Sequence, residues 1–160
     1  MKKARSVSIF FILISILLGS CRTEADLNKT PDYLVFGHFY GFSLGEESIE
    51  IFKLESKRLF EDLQDNYPTY QEPYNAEFEL LGDEKFNQVK GLIDTIPEEL
   101  FSESSKIIGA PDTADEGGLY IEVMIDGRRL FWLVDMAKEN VPEYLHEFMD
   151  EIIYAIRLLQ

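Results

Sequence analysis

The feature that most constrains this sequence is a pair of apolar segments on either side of Asp126-Gly127. The segments cover residues 119–125 and 129–134 and are rich in aliphatic and aromatic side chains. An Asp-Gly pair suits a two-residue type I′ turn, because both central positions of that turn require positive φ. The sequence therefore predicts a β-hairpin, and the apolar character of its strands predicts a central position in a sheet.

Other segments show the patterns of further strands and of two helices. Four more strands are predicted, at residues 33–40, 48–54, 58–62 and 76–80. Apolar residues at intervals of three and four predict a helix over 83–96 with Asp83 as its cap, and a C-terminal helix that opens with Asn140 as its cap. We therefore expect an α+β fold: an antiparallel sheet of about five or six strands with two main helices packed on one face.

The second face of this sheet is also expected to carry apolar side chains, because the first hairpin and the hairpin over 119–134 have apolar residues on both sides. That face is either covered or forms a binding surface. The segment 66–75 contains Pro68 and Pro73, which argue against a helix or a central strand. Its tyrosines either pack a long loop onto the sheet edge or stack on a sugar or peptide in a groove.

The N-terminus has the pattern of a bacterial lipoprotein export signal. Lys2, Lys3 and Arg5 precede an apolar run over residues 7–18, and Gly19-Ser20 stands directly before Cys21. A run of this length is short for a membrane span and typical of a signal peptide. The small residues before Cys21, the chain's single cysteine, complete a lipobox, in which cleavage precedes a diacylated cysteine.

Three parts of the chain follow from this interpretation. Residues 1–20 are the predicted signal peptide, residues 21–32 a flexible tether that begins with lipidated Cys21, and residues 33–160 a single domain. Since Arg22 rather than aspartate follows the cysteine, sorting to the outer membrane is favoured over retention in the inner membrane. The expected location is the cell envelope, with the membrane bound through the N-terminal lipid.

Charge and cysteine content exclude several classes of function. Removal of residues 1–20 takes away three basic residues and no acidic ones, which leaves 12 basic against 30 acidic residues and a formal charge of −18. Such a surface repels phosphate backbones, so nucleic acid is not an expected partner. With Cys21 acylated, no thiol remains for a disulfide, thiolate catalysis or a cysteine-based zinc site.

Signals for catalysis are weak. The sequence contains two histidines, His38 and His146, but no Gly-x-Ser-x-Gly turn that would supply a serine nucleophile to either of them. No catalytic residue is therefore assigned. Asp112, Asp115 and Glu116 place several carboxylates in a short loop near glycines, which suits weak extracytoplasmic calcium binding but lacks the EF-hand pattern. The alternative is a structural turn in which Asp112 and Asp115 accept backbone hydrogen bonds. Glu46 and Glu47 could complete a cation site if the two loops meet.

Several segments of the chain resemble a family of small uncharacterised lipoproteins from Bacteroidota. They are residues 36–41 (Phe-Gly-His-Phe-Tyr-Gly), 50–54 (Glu-Ile-Phe-Lys-Leu), 108–112 (Ile-Gly-Ala-Pro-Asp), Asp115, 117–122 (Gly-Gly-Leu-Tyr-Ile-Glu) and 131–133 (Phe-Trp-Leu). Some similar sequences carry cysteines near Phe42, Ser48, Ala110 and Thr113, which implies a disulfide or metal pair there. This chain lacks all four, so that chemistry is not carried over. The resemblance implies a cellular location and a fold, but it implies no reaction.

Together these observations favour a lipid-anchored, non-enzymatic envelope protein that binds a protein or another ligand through its sheet or loops. No cofactor is expected unless the loop of Asp112, Asp115 and Glu116 binds calcium. Two alternatives stay open. One is a hydrolase or lyase of envelope polymers that uses the carboxylates of Asp112, Asp115 and Glu116. The other is a structural module stabilised by calcium at the same loop.

Overall fold

The computed structural model describes residues 30–41, 48–113 and 116–160. The predicted signal peptide, Cys21 and most of the predicted tether lie outside this part of the chain, as do Glu46, Glu47 and Asp115. Within the described ranges, no helix is both long enough and apolar enough to cross a membrane. The main-chain N–H of Asp32 donates to the carbonyl of Met124 at 2.7 Å, so the chain is already bound to the sheet one residue before the first strand.

The centre of the fold is a mixed sheet of seven strands among the described residues. The strands are β1 (Tyr33–Phe39), β2 (Ile49–Glu55), β3 (Leu59–Asp62), β4 (Phe78–Leu80), β5 (Ile107–Ile108), β6 (Gly118–Ile125) and β7 (Arg128–Asp135). Their order across the sheet is β4-β3-β2-β1-β6-β7-β5. Every neighbouring pair is antiparallel except β5 and β7, which are parallel.

Two α-helices, α1 (Asp83–Val89) and α2 (His146–Leu159), accompany the sheet. Short 3-10 helices cover Leu92–Thr95, Glu98–Ser102, Lys138–Asn140 and Glu143–Leu145. Residues of both α-helices belong to one buried cluster on one face of the sheet, which includes Phe36, Trp132, Val89 and Phe148. The predicted α+β class is therefore confirmed.

The finer sheet prediction needs correction, because the sheet has seven strands rather than five or six and is not purely antiparallel. The additional strand is β5, which pairs Ile107 with Leu133 and Ile108 with Val134. Two residues cannot display the alternation by which a strand is recognised in a sequence, and the partner is distant along the chain. The segment before Gly109 therefore had no local signal for a parallel strand.

The helix starts also differ from the prediction. Asp83 is the first residue of α1 rather than its cap, and Gly82 at the cap position offers no side chain. The predicted single helix over 83–96 ends as an α-helix at Val89, where Lys90 and Gly91 precede a 3-10 helix. Asn140 does not cap the C-terminal helix, which begins at His146, because its side-chain amide donates to Asp135 at 2.8 Å.

The predicted hairpin is confirmed. β6 and β7 are joined by Asp126 and Gly127, with φ of 51° and 72°, as a type I′ turn requires. β6 is buried except at Met124, and β7 is buried from Phe131 to Asp135.

The second face of the sheet holds its own buried cluster, beneath the covering loop (residues 63–77). Val35, Ile51, Tyr120 and Phe131 belong to this cluster. Tyr74 of the covering loop is buried among them, and the ring of Tyr67 packs edge-on against Phe39 with 5.2 Å between centroids. The packing interpretation of the loop tyrosines therefore fits Tyr74, and Tyr67 in part, since Tyr67 touches Phe39 but is exposed like Tyr70.

Candidate functional site

A buried carboxylate lies on the second face of β6. Glu122 has no exposed surface, and its two oxygens accept four hydrogen bonds. Oε1 accepts from the Tyr33 hydroxyl at 2.9 Å and from Arg129 Nε at 2.7 Å. Oε2 accepts from the Tyr120 hydroxyl at 2.6 Å and from Arg129 Nη2 at 2.8 Å. Four donors, one of them cationic, offset the cost of burying this charge.

The hairpin register explains why Glu122 and Arg129 meet. Glu122 pairs with Phe131 and Met124 pairs with Arg129, so Glu122 and Arg129 are diagonal neighbours on one face. Long side chains reach across such diagonals. Our sequence analysis missed this pair, although a signal existed: a single acid in an apolar strand, with an arginine at the diagonal position that the two-residue turn fixes.

The network extends to the covering loop through Tyr74. Arg129 Nη2 donates to the Tyr74 carbonyl at 2.7 Å, and the Tyr74 N–H donates to the Tyr120 hydroxyl at 2.8 Å. The Tyr74 hydroxyl donates to buried Asp62 at 2.6 Å. All three polar groups of Tyr74 are thus bonded to the sheet, which fixes the loop at this point.

The phenols of this network remain hydrogen-bond donors at physiological pH. Burial raises the pKa of Tyr33 to about 12, and the negative charge of Glu122 adds to this effect. Burial also raises the pKa of Tyr120, with Glu122 again contributing, and that of Tyr74, with Asp62 contributing. For Arg129, the hydrogen bonds to Glu122 raise the pKa further above its ordinary value. The phenols of Tyr33 and Tyr120, with Arg129, therefore hold the Glu122 carboxylate as hydrogen-bond donors.

A groove of about 300 Å³ adjoins this network at the edge of β7. One wall is the segment 103–106, whose last residue, Lys106, accepts a hydrogen bond from the Leu133 N–H, and the other wall is β7 itself over residues 129–132. Pro73 of the covering loop closes one side. The groove thus depends on three separate parts of the chain.

The groove presents a cation above an aromatic ring. Lys106 Nζ lies 4.2 Å from the centroid of the Phe131 ring, a favourable cation–π distance. Among the described residues Lys106 forms no salt bridge, and the side chain of Arg129 is 39% exposed beside it. The hydroxyl of Tyr144 donates to the one acid on the wall, Glu103, at 2.5 Å. A ligand here would meet an ammonium group and the backbone of a sheet edge, beside the buried ring of Phe131.

A smaller groove of about 180 Å³ lies within the covering loop itself. It is lined by residues of that loop alone, among them Tyr67, Pro68, Glu72 and Tyr74. No cationic side chain lines it, so it offers less for the recognition of a charged ligand than the groove at β7.

The predicted cation residues are only partly within the described ranges. Asp112 Oδ1 accepts from the Gly41 N–H at 3.1 Å, and Oδ2 accepts from the Tyr67 hydroxyl at 2.7 Å. Glu116 is exposed, and Asp115 lies outside the described residues. In the described part of the chain, no three His, Cys, Asp or Glu side chains are grouped so that they could hold a metal ion. Calcium binding, and the use of these carboxylates by a hydrolase or lyase, stay predictions.

The two histidines lie on different elements. His38 is in β1, where its ring is 5.2 Å from the ring of Tyr40. His146 begins α2, and its Nε2 lies 2.9 Å from the carbonyl oxygen of Lys138. Neither histidine lines the groove at β7.

Neither a protein-family model nor a curated protein matches this chain.

Proposed function

We propose that this chain is a lipid-anchored binding protein of the bacterial cell envelope, without enzymatic activity, that takes a carboxylate-bearing ligand in the groove at β7. The position of Lys106 over Phe131 carries this proposal. An ammonium group at a groove wall attracts an anion, and its contact with the buried ring of Phe131 holds it in place there.

The charge of the chain bears on how an acidic ligand would meet Lys106. With 12 basic and 30 acidic residues after removal of the signal peptide, most of the surface repels an acidic ligand. Several other cations are paired: Lys53 and Arg58 with Glu55, and Lys138 with Asp150. Lys106 has no such partner among the described residues, so its charge is available to a ligand.

The anchor is supported by the N-terminal sequence and by the length of the segment that joins Cys21 to the fold. The basic head, the apolar run and Gly19-Ser20-Cys21 form a lipobox signal. The proposed tether over 22–32 spans at most about 35 Å when fully extended, and its last residue, Asp32, donates to β6. The proposed location is the outer membrane, in keeping with the resemblance to Bacteroidota lipoproteins.

Metabolic labelling with palmitate tests the anchor. The wild-type chain is expected to carry the label and to fractionate with membranes, and Cys21→Ala is expected to lose both. A labelled Cys21→Ala chain, or an unlabelled wild-type chain, would contradict the anchor.

Site-specific photo-crosslinking in the native envelope tests the binding site. A photoreactive residue at Ser104, on the groove wall, is compared with one at exposed Arg157 of α2. We expect adducts that form from position 104, do not form from position 157, and disappear in the Lys106→Glu background. Adducts that are equal at both positions, or indifferent to Lys106→Glu, would contradict the proposed site whatever molecule is captured.

A further inference from the structure

The edge of β7 alternates in the direction of its main-chain groups. The N–H of Leu133 points away from β6, since it donates to the carbonyl of Lys106 at 2.8 Å. In an antiparallel pair the residues that face outward recur at every second position. Arg129 and Phe131 therefore also direct their N–H and C=O groups to the outer edge, whereas Leu130 and Trp132 bond to β6.

No strand covers this part of the edge in the described chain. β5 lies opposite only Leu133 and Val134. No other hydrogen bond between described residues engages the main-chain groups of Arg129 or Phe131. These groups face the groove, whose opposite wall is the segment 103–106. The edge thus presents two pairs of free donors and acceptors along one wall of the groove rather than on an open surface.

We propose that the ligand of this groove is an extended peptide segment of a partner protein, which adds as a strand beside residues 129–132 of β7 and places an acidic side chain on Lys106. This proposal rests on the proposed function and names its ligand class. The outward groups of Arg129 and Phe131 are two residues apart, roughly 6.7 Å along the strand, which is the repeat of an extended peptide. Main-chain pairing would supply affinity, and Lys106 with Phe131 would select the side chain.

The charge of the groove favours an acidic segment. The guanidinium of Arg129 is neutralised by Glu122 behind it, so Lys106 supplies the unpaired charge near the wall. Like charge repels acidic peptides from the rest of the surface, whereas at this edge free main-chain groups lie beside Lys106, which forms no salt bridge among the described residues. An acidic residue at the position opposite Phe131 is therefore the expected specificity determinant.

Hydrogen exchange on the free, intact lipoprotein in detergent tests the first step. Arg129 and Phe131 amides are expected to exchange quickly, and Leu130, Trp132 and Leu133 amides slowly. Equal protection of all five amides would show that the edge is already occupied and would overturn the proposal.

A displayed library of random twelve-residue peptides tests the second step on the same intact protein. Selected peptides are expected to share an acidic residue and to protect the Arg129 and Phe131 amides when bound. N-methylation of alternate peptide residues is expected to weaken binding at least about tenfold, and N-methylation of the intervening residues to have little effect. Lys106→Glu is expected to weaken binding by about tenfold or more, whereas Lys57→Glu, at an exposed turn, serves as the matched control.

The outcomes separate this proposal from the proposed function. If crosslinks at Ser104 depend on Lys106 but no peptide is selected, the groove binds a carboxylate ligand and strand addition is wrong. If peptides bind but N-methylation of alternate residues weakens binding no more than N-methylation of the intervening residues, the peptides use side chains alone, and strand addition is again wrong. If neither crosslinks nor peptides depend on Lys106, both proposals fail.

Discussion

Replacing Arg129 with alanine is expected to destabilise the fold by about 3 kcal/mol. Glu122 is fully buried, and Arg129 supplies two of its four hydrogen bonds, at 2.7 and 2.8 Å. Removal of one partner of a buried ion pair costs about 3–5 kcal/mol, because the other charge stays buried without compensation. The lower end applies here, since Tyr33 and Tyr120 still donate and the 39% exposure of the Arg129 side chain lets water reach the vacated space.

Urea denaturation measures this loss, and Trp132, the chain's single tryptophan and a buried one, reports unfolding by its fluorescence. With a slope of about 2 kcal/mol per molar urea, a loss of about 3 kcal/mol lowers the midpoint by about 1.5 M. Arg128→Ala is the matched control: the neighbouring residue is exposed, and its removal should change the free energy of unfolding by no more than about 0.5 kcal/mol.

A double-mutant cycle identifies the cause of the loss. Glu122→Gln removes the buried charge but keeps an acceptor, so Arg129→Ala should cost much less in that background. A coupling free energy of about 2 kcal/mol is expected. If Arg129→Ala costs no more than Arg128→Ala, or the same in both backgrounds, the ion pair does not hold this face of the sheet and the reasoning fails.

Three further predictions concern other contacts. Tyr67→Phe removes the donor to Asp112 and should cost about 1 kcal/mol in urea denaturation, whereas Tyr70→Phe, at an exposed ring, should cost almost nothing; equal effects would contradict the contact. Burial alone would raise the pKa of Asp135, but hydrogen bonds from the Ala137 and Ala110 N–H groups and from Asn140 lower it. The Asp135 carboxylate therefore stabilises the fold at pH values above its unfolded pKa of about 3.8. This stabilisation disappears as pH falls through the lower pKa of the folded state. Asp135→Asn should therefore destabilise the protein at pH 7 and flatten its acid unfolding below about pH 4, and an unchanged acid profile would refute this. If the predicted calcium site exists, millimolar Ca²⁺ at fixed ionic strength should stabilise the wild-type chain by about 1 kcal/mol and raise its melting temperature, but not that of Asp112→Asn; no rise in the wild type would exclude the site.

Structural elements that depend only on residues close together in the chain could be predicted from the sequence. The β6–β7 hairpin is the clearest case, because both strands and the turn lie within 118–135 and the turn itself requires the residue types found at Asp126 and Gly127. The amphipathic stripe of α2 is another, since its spacing alone identifies the face that packs on the sheet. Local preference and tertiary structure agree at these elements.

Features that depend on distant partners could not be predicted. β5 has two residues, and only their pairing with Leu133 and Val134 makes them a strand. Asn140 has the chemistry of a helix cap, but Asp135 binds its side chain instead, so the helix starts six residues later. In both cases a contact made after folding decides between local alternatives of similar strength.

The candidate site combines both kinds of feature. Glu122 and Arg129 could have been paired from the hairpin register. The groove could not, because its far wall is positioned by β5 and its side is closed by Pro73 of the covering loop. Lys106 looks in the sequence like any exposed lysine, and only the path of residues 103–106 brings it over Phe131.

The buried carboxylates connect stability to the shape of the groove. Asp62 and Glu122 are the points at which the covering loop joins the sheet, through the hydroxyl of Tyr74 and through Arg129. Pro73, which closes the groove, directly precedes Tyr74, so any change that releases Tyr74 also changes the groove. Loss of ligand binding in Arg129→Ala would therefore report both a lost wall and a displaced loop. Lys106→Glu leaves every described hydrogen bond of Tyr74 in place, and for that reason it is the variant that isolates recognition from folding.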